Sequence, residues 1–118
     1  MLNLNHKKLE VWKSSLVVIK NIYLITENFP NKELYGLSNQ LRRASISISS
    51  NIAEGASRSS SKERRRFYEI ARSSLVEVDA QIEIAISLKY LDEIDLCNFE
   101  EEFIRLFKML SGLIKSTI

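Results

Sequence analysis

The 118-residue chain contains one cysteine, Cys97, and one histidine, His6. An intrachain disulfide is therefore excluded, a Cys/His metal cluster lacks ligands, and a Ser/His/Asp relay finds no suitable partners. No metal, no cofactor and no catalytic residue is expected. Three glycines and one proline are too few for many short strands joined by tight turns, whereas long helices need few of either. No run of about 18 apolar residues occurs, so no membrane span is expected. The opening MLNLNHKKLE lacks the apolar core and small-residue cleavage site of a secretion signal, which gives the expectation of a cytoplasmic protein.

What is present is the composition of an ordinary soluble domain, 45% apolar and 27% charged. The length suits one domain spanning residues 1–118, able to bury a core without staples. Net charge is +2, but its distribution along the chain is uneven. Residues 42–72 sum to +5 and residues 73–118 to −5. Such polarity lets one part of a nearly neutral molecule attract polyanions.

The apolar spacing predicts four helices. The first runs from about Asn5 to Asn28, with Leu9, Trp12, Leu16, Ile19 and Tyr23 on one face, and ends at Phe29-Pro30-Asn31. Asn31 can cap a second helix reaching Glu54, with Leu37, Leu41, Ala44, Ile48 and Ile52 inward and Gly55 as its stop. After a Ser/Arg loop at 56–60, Ser60-Ser61-Lys62-Glu63 reads as a capping box. It opens a third helix whose stripe is Phe67, Ala71, Ser74, Val78, Ile82 and Ala85. Asp92 to Asp95 supply the next turn, and Phe99, Phe103, Leu106, Leu110 and Leu113 line a fourth helix. Short connections make neighbours antiparallel, so the expected fold is all-α, an up-down-up-down four-helix bundle.

The first helix carries a second apolar stripe, Val11, Ser15, Val18, Ile22 and Ile25, and the second helix places Ile46 opposite Leu41 and Ile48. Contiguous exposed apolar surface marks contact sites, so Val11, Val18, Ile22, Ile25 and Ile46 are expected at a homo-oligomer interface. Oblique helix crossing that covers both stripes is the competing explanation. Arg42, Arg43, Arg58, Lys62, Arg65 and Arg72 form the candidate phosphate-binding set, because guanidinium forks match phosphate oxygens and a helix N-terminus favours anions. Glu69 sits at pairing distance from Arg65 and Arg72, so an ordinary salt-bridge ladder is the alternative. The Gly55–Lys62 loop lacks the second glycine and the preceding strand of a nucleotide loop. Asn51 and Glu54 lie near the inward face of the second helix, where a buried carboxylate needs a partner; Arg64 is the geometric candidate.

Tyr35-Gly36-Leu37, Gln40-Leu41-Arg42-Arg43-Ala44 and Ser47-Ile48-Ser49-Ser50-Asn51-Ile52-Ala53-Glu54-Gly55 form an ordered run. With Leu9-Glu10-Val11-Trp12 and the Phe67–Leu75 stretch, it resembles the 23S rRNA intervening sequence proteins over nearly the whole chain. One departure is Ser49, where the family often has proline, and serine keeps the helix straighter. The resemblance implies a small bacterial four-helix bundle, often encoded within large-subunit rRNA genes, with no established enzymatic activity. The chain is also similar to the accessory protein of diversity-generating retroelements, which implies a homopentamer that works with nucleic acid. The functional expectation is a non-enzymatic oligomer that binds RNA or DNA through basic residues without strong sequence specificity. The rival is a structural or protein-interaction scaffold without nucleic acid binding, whose acidic C-terminal half meets a basic protein partner.

Overall fold

The computed structural model describes residues 1–117 and is all-α, in a body of 44 × 26 × 20 Å. Helix α1 spans Glu10–Glu27, α2 Leu37–Ser57, α3 Ser61–Ser87 and α4 Cys97–Ser116, with short 3₁₀ turns at Asn5–Lys8, Asn31–Glu33 and Glu93–Leu96. Each helix packs on its chain neighbour, and α4 closes the ring against α1, the contact pattern of an up-down-up-down bundle. Ile22, Leu41, Ile48, Ile52, Leu75, Val78, Leu106 and Leu110 are fully buried along its axis.

Local chemistry sets the helix limits. Leu9 is extended (φ −77°, ψ 129°), so the first helix breaks there, and the Asn5–Lys8 turn folds against α2. The Asn31–Glu33 turn delays α2 to Leu37, so the expected Asn31 cap does not form: Asn31 is the first residue of the 3₁₀ turn, and Gly36 precedes the long helix without a side-chain cap. At α3 the expected cap forms, with the Glu63 N–H donating to Ser60 Oγ at 3.0 Å. The other end of α3 closes with Tyr90 N–H on Ala85 O (2.9 Å) and Lys89 N–H on Ile86 O (3.0 Å). That is a Schellman closure, with Lys89 at φ 63° where glycine is usual.

The two apolar stripes of α1 exchange the places expected of them. Val11, Val18 and Ile22 are 6%, 0% and 0% exposed, and Ile25 is half-buried, so they form the protomer's own core and are not available to a second subunit. The stripe expected inside is at the margin instead: Trp12, Leu16 and Ile19 are half-buried and Tyr23 is exposed. The physical reason is size. Ser14, Ser15 and Val18 let α1 approach the bundle axis closely, and the bulkier Trp12 and Tyr23 fit only at its edge. Of the expected interface set, Ile46 alone is exposed.

Gly55 does not stop α2, which continues to Ser57. A Cβ at Gly55 would lie 2.6 Å from Tyr68 Cε1 and 2.9 Å from its Cδ1, so this glycine permits a close crossing of α2 and α3. On α3, Tyr68 is the inward aromatic and Phe67 is half-buried beneath Arg58, one position away from the expected stripe.

Candidate nucleic-acid interface

The hydrogen bonds between helices fix which charges share a level. Arg42 Nε donates to Thr26 Oγ1 (2.9 Å), Ser47 and Ser74 hydroxyls meet at 2.9 Å, and Arg72 Nη1 donates to Ser111 Oγ (3.3 Å). The Ser47–Ser74 level divides the bundle in two. On the side of the α2–α3 loop, residues 1–20, 48–73 and 110–117 carry eleven Lys and Arg against four Glu. Beyond it, residues 21–47 and 74–109 carry six Lys and Arg against eleven Asp and Glu. The antiparallel topology thus makes a basic end and an acidic end.

The six candidate cations do not form one cluster. Arg58, Lys62 and Arg65 meet at the α2–α3 loop, whereas Arg72 lies about 10 Å farther along α3 at 1.5 Å per residue. Arg42 and Arg43 lie beyond the dividing level, more than about 20 Å from Arg58 along α2. Arg42 is held there by its bond to Thr26 and by stacking on the Tyr23 ring, 4.7 Å from its centroid. Arg43 is exposed on the outer face of α2.

At the basic end the arginines are partly engaged. Arg58 sits 3.2 Å from Glu54 and 4.9 Å from the Phe67 centroid, and Arg65 lies 2.9 Å from Glu69. Lys62 and Arg66 are exposed and form no ion pair among the described residues. Arg66 was absent from the sequence-derived set because the inward face of α3 was centred on Phe67; with Tyr68 inward, Arg66 turns to solvent. Lys7, Lys8, Lys13 and Lys115 also join this end, and only the antiparallel arrangement reveals it.

The structural polar set is rearranged as well. Glu54 is exposed and pairs with Arg58 one turn away, not with Arg64. Arg64 instead ties down the loop: Nη1 donates to the carbonyls of Arg58 (3.1 Å) and Ser59 (2.8 Å), and Nη2 to Ser61 Oγ (3.0 Å). Asn51 Nδ2 donates to Ser47 O (2.8 Å) and Ser47 Oγ (3.1 Å), joining the seam that Ser47 and Ser74 make. Below Arg64, the Tyr68 phenol titrates above its ordinary value because burial penalises the phenolate, with the guanidinium acting in the opposite sense.

The bundle and its ordered α2–α3 segments define a class of small all-α proteins. The sequence profile of the 23S rRNA-intervening sequence protein family matches residues 7–112, and the chain belongs to that family. A crystal structure of a protein of unknown function from the S23 ribosomal protein family of Bacteroides thetaiotaomicron is similar, at 25% identity and a TM-score of 0.75. The match covers 89% of this chain and 98% of that one. No curated protein matches the chain. No described helix is long and apolar enough to cross a membrane.

Proposed function

We propose that this protein is a non-enzymatic, cytoplasmic homo-oligomer that binds RNA or DNA through its basic end without strong sequence specificity. The observation that carries the reading is the gathering of eleven Lys and Arg at one end of the bundle, with Lys62 and Arg66 exposed and unpaired among the described residues. Arginine and lysine attract phosphates irrespective of base, and most aromatic rings of this chain are in or beside the core, which leaves few for stacking. Five subunits is the number that the family resemblance implies. The exposed apolar residues Val17, Leu24 and Ile46 are the contact surface that this reading now assigns, in place of the buried α1 stripe. Repetition of a weak basic end around an assembly would raise its grip on a long polyanion through effective concentration.

Fluorescence anisotropy with RNA, single-stranded DNA and duplex DNA tests the binding. Affinity is expected to fall steeply between about 50 and 200 mM salt, because each neutralised phosphate releases counterions. Lys62→Glu with Arg66→Glu should weaken binding and flatten the salt dependence. No binding at low salt, or an unchanged double variant, transfers the function to the protein-interaction reading. Light scattering coupled to size exclusion tests the assembly, and a monomer at about tens of micromolar removes that part of the proposal.

A further inference from the structure

The acidic end has a feature that nucleic acid binding does not use. Between α3 and α4, closed at one end by the Glu93–Leu96 turn, lies a depression of about 340 Å³ floored by Ile82, Ile86, Phe99 and Phe103. Asp79, Glu83, Glu93 and Glu100 rim it, and none of them pairs with a Lys or Arg among the described residues. Asp79, Phe103 and Ile104 also line a second depression, of about 250 Å³, which continues along the helices to Val76, Phe107 and Lys108. Val76, Ile104 and Phe107 are 53%, 49% and 42% exposed, so the joined groove presents contiguous apolar surface to solvent. From Leu75 to Ile86 it follows α3 for about 16 Å, three turns of a helix laid alongside.

We infer that the α3–α4 groove docks a basic amphipathic helix of a partner protein. The occupant's apolar stripe would lie on Phe103, Ile104 and Phe107, and its Lys or Arg side chains would meet Asp79, Glu83 and Glu100. A trough between two helices with an apolar floor is the geometry that receives helices, and the unpaired carboxylates select a cationic flank and repel phosphate. The chain's own exposed α1 face, Val17 and Leu24, carries Lys13 and Lys20 at helical spacing, but Glu10 lies 3.5 Å from Lys13, which leaves Lys20 against four rim carboxylates, and Glu27 would add an acid to them. A second copy is therefore the weaker fit, and the test separates it. The inference does not rest on the nucleic-acid reading.

The test uses the full chain and a fluorescein-labelled synthetic helical peptide with leucines at i, i+3, i+4 and i+7 and lysines on the flanks. A scrambled peptide of the same composition serves as control. Saturable binding is expected, at least tenfold weaker for the scrambled peptide, for Ile104→Glu, and for Glu83→Lys with Glu100→Lys. Circular dichroism checks that each variant folds, and Ile104→Ala, expected to bind more weakly than the native chain, replaces Ile104→Glu if that variant does not. Equal binding of the two peptides, no binding, or full binding by the groove variants would overturn the inference. So would an Ile104→Glu variant whose oligomer falls apart in light scattering, which would give the groove to a second copy of this chain.

Discussion

The two seams that α3 makes are built from opposite materials. Against α2 it presents Ser74 to Ser47 and the Tyr68 ring to the bare backbone of Gly55, with Ala44 and Ala71 in the same core, and the helices are joined by Arg58, Ser59 and Ser60 alone. Against α4 it meets Phe99, Phe103, Ile104 and Phe107, across a connection that runs from residue 88 to residue 96. Small side chains and a short loop draw two backbones together until hydroxyl meets hydroxyl. Large side chains and a long connection hold them apart and leave a groove. One helix therefore has a closed, rigid side carrying the basic loop and an open side carrying unpaired acids.

The closed seam is the easier to break. Gly55→Ala would gain about 1 kcal/mol of helix propensity if nothing else changed. The added Cβ, however, lands 2.6 Å from a ring that is itself 3% exposed and has nowhere to retreat. Overpacking of this kind costs about 1–3 kcal/mol, so a net loss of stability is expected in denaturant unfolding. Tyr68→Leu should relieve the clash, leaving the double variant less destabilised than the two single losses added together. Gly112→Ala supplies the contrast. It lies in α4 with nothing within 4 Å of the added carbon, and the same substitution there should stabilise by about 0.5–1 kcal/mol.

A smaller effect comes from the two tyrosines that brace α3. Tyr68 holds its proton above the ordinary value of 10.0 because it is buried. Tyr90 does so because its hydroxyl donates to Glu33 Oε2 at 2.9 Å, with burial and the carboxylate charge adding to the shift. Below pH 10 both phenols are protonated in the folded and the unfolded chain, and they add no pH dependence. Above it the unfolded chain releases its protons first, so stability should fall as pH rises through the folded values. Urea unfolding on the alkaline side should show this decline. Tyr68→Phe should make it shallower, and an unchanged slope would show that other groups govern the alkaline limb.

Much of this architecture was legible in the sequence. Four apolar periodicities, the Ser60 cap and the family segments gave the helix number, order and pairing. The inward face of α1 was not legible, because both of its stripes are apolar and the choice falls to Ser14, Ser15 and Val18, whose small size matters only once the other helices are in place. Gly55 after a long helical run reads as a stop, and its actual role depends on a tyrosine thirteen residues later. The basic residues were identified as a segment, but charges act by proximity. Folding removes Arg42 and Arg43 from that set and adds Lys7, Lys8, Lys13, Lys115 and Arg66 to the same end.

Glu54 lies on α2 close to the tight crossing, yet its contribution to the comparison should be the smallest. The sequence alone suggested a buried carboxylate whose loss would cost about 1–3 kcal/mol by leaving a donor unpaired. In the structure its side chain is 55% exposed, and its partner, Arg58, is 43% exposed and also stacks on Phe67. An exposed pair one helical turn apart contributes little, and Arg58 keeps the ring when the carboxylate is gone. The loop does not depend on Glu54 either, since Arg64 secures its carbonyls. Glu54→Ala should therefore change stability by less than about 0.5 kcal/mol. It also removes one of only four acids from the basic end, so nucleic acid binding should strengthen slightly at low salt. Denaturant unfolding and anisotropy on the same variant separate the outcomes: a large stability loss would show that Glu54 acts within the seam, and weakened binding would make the carboxylate part of the interface.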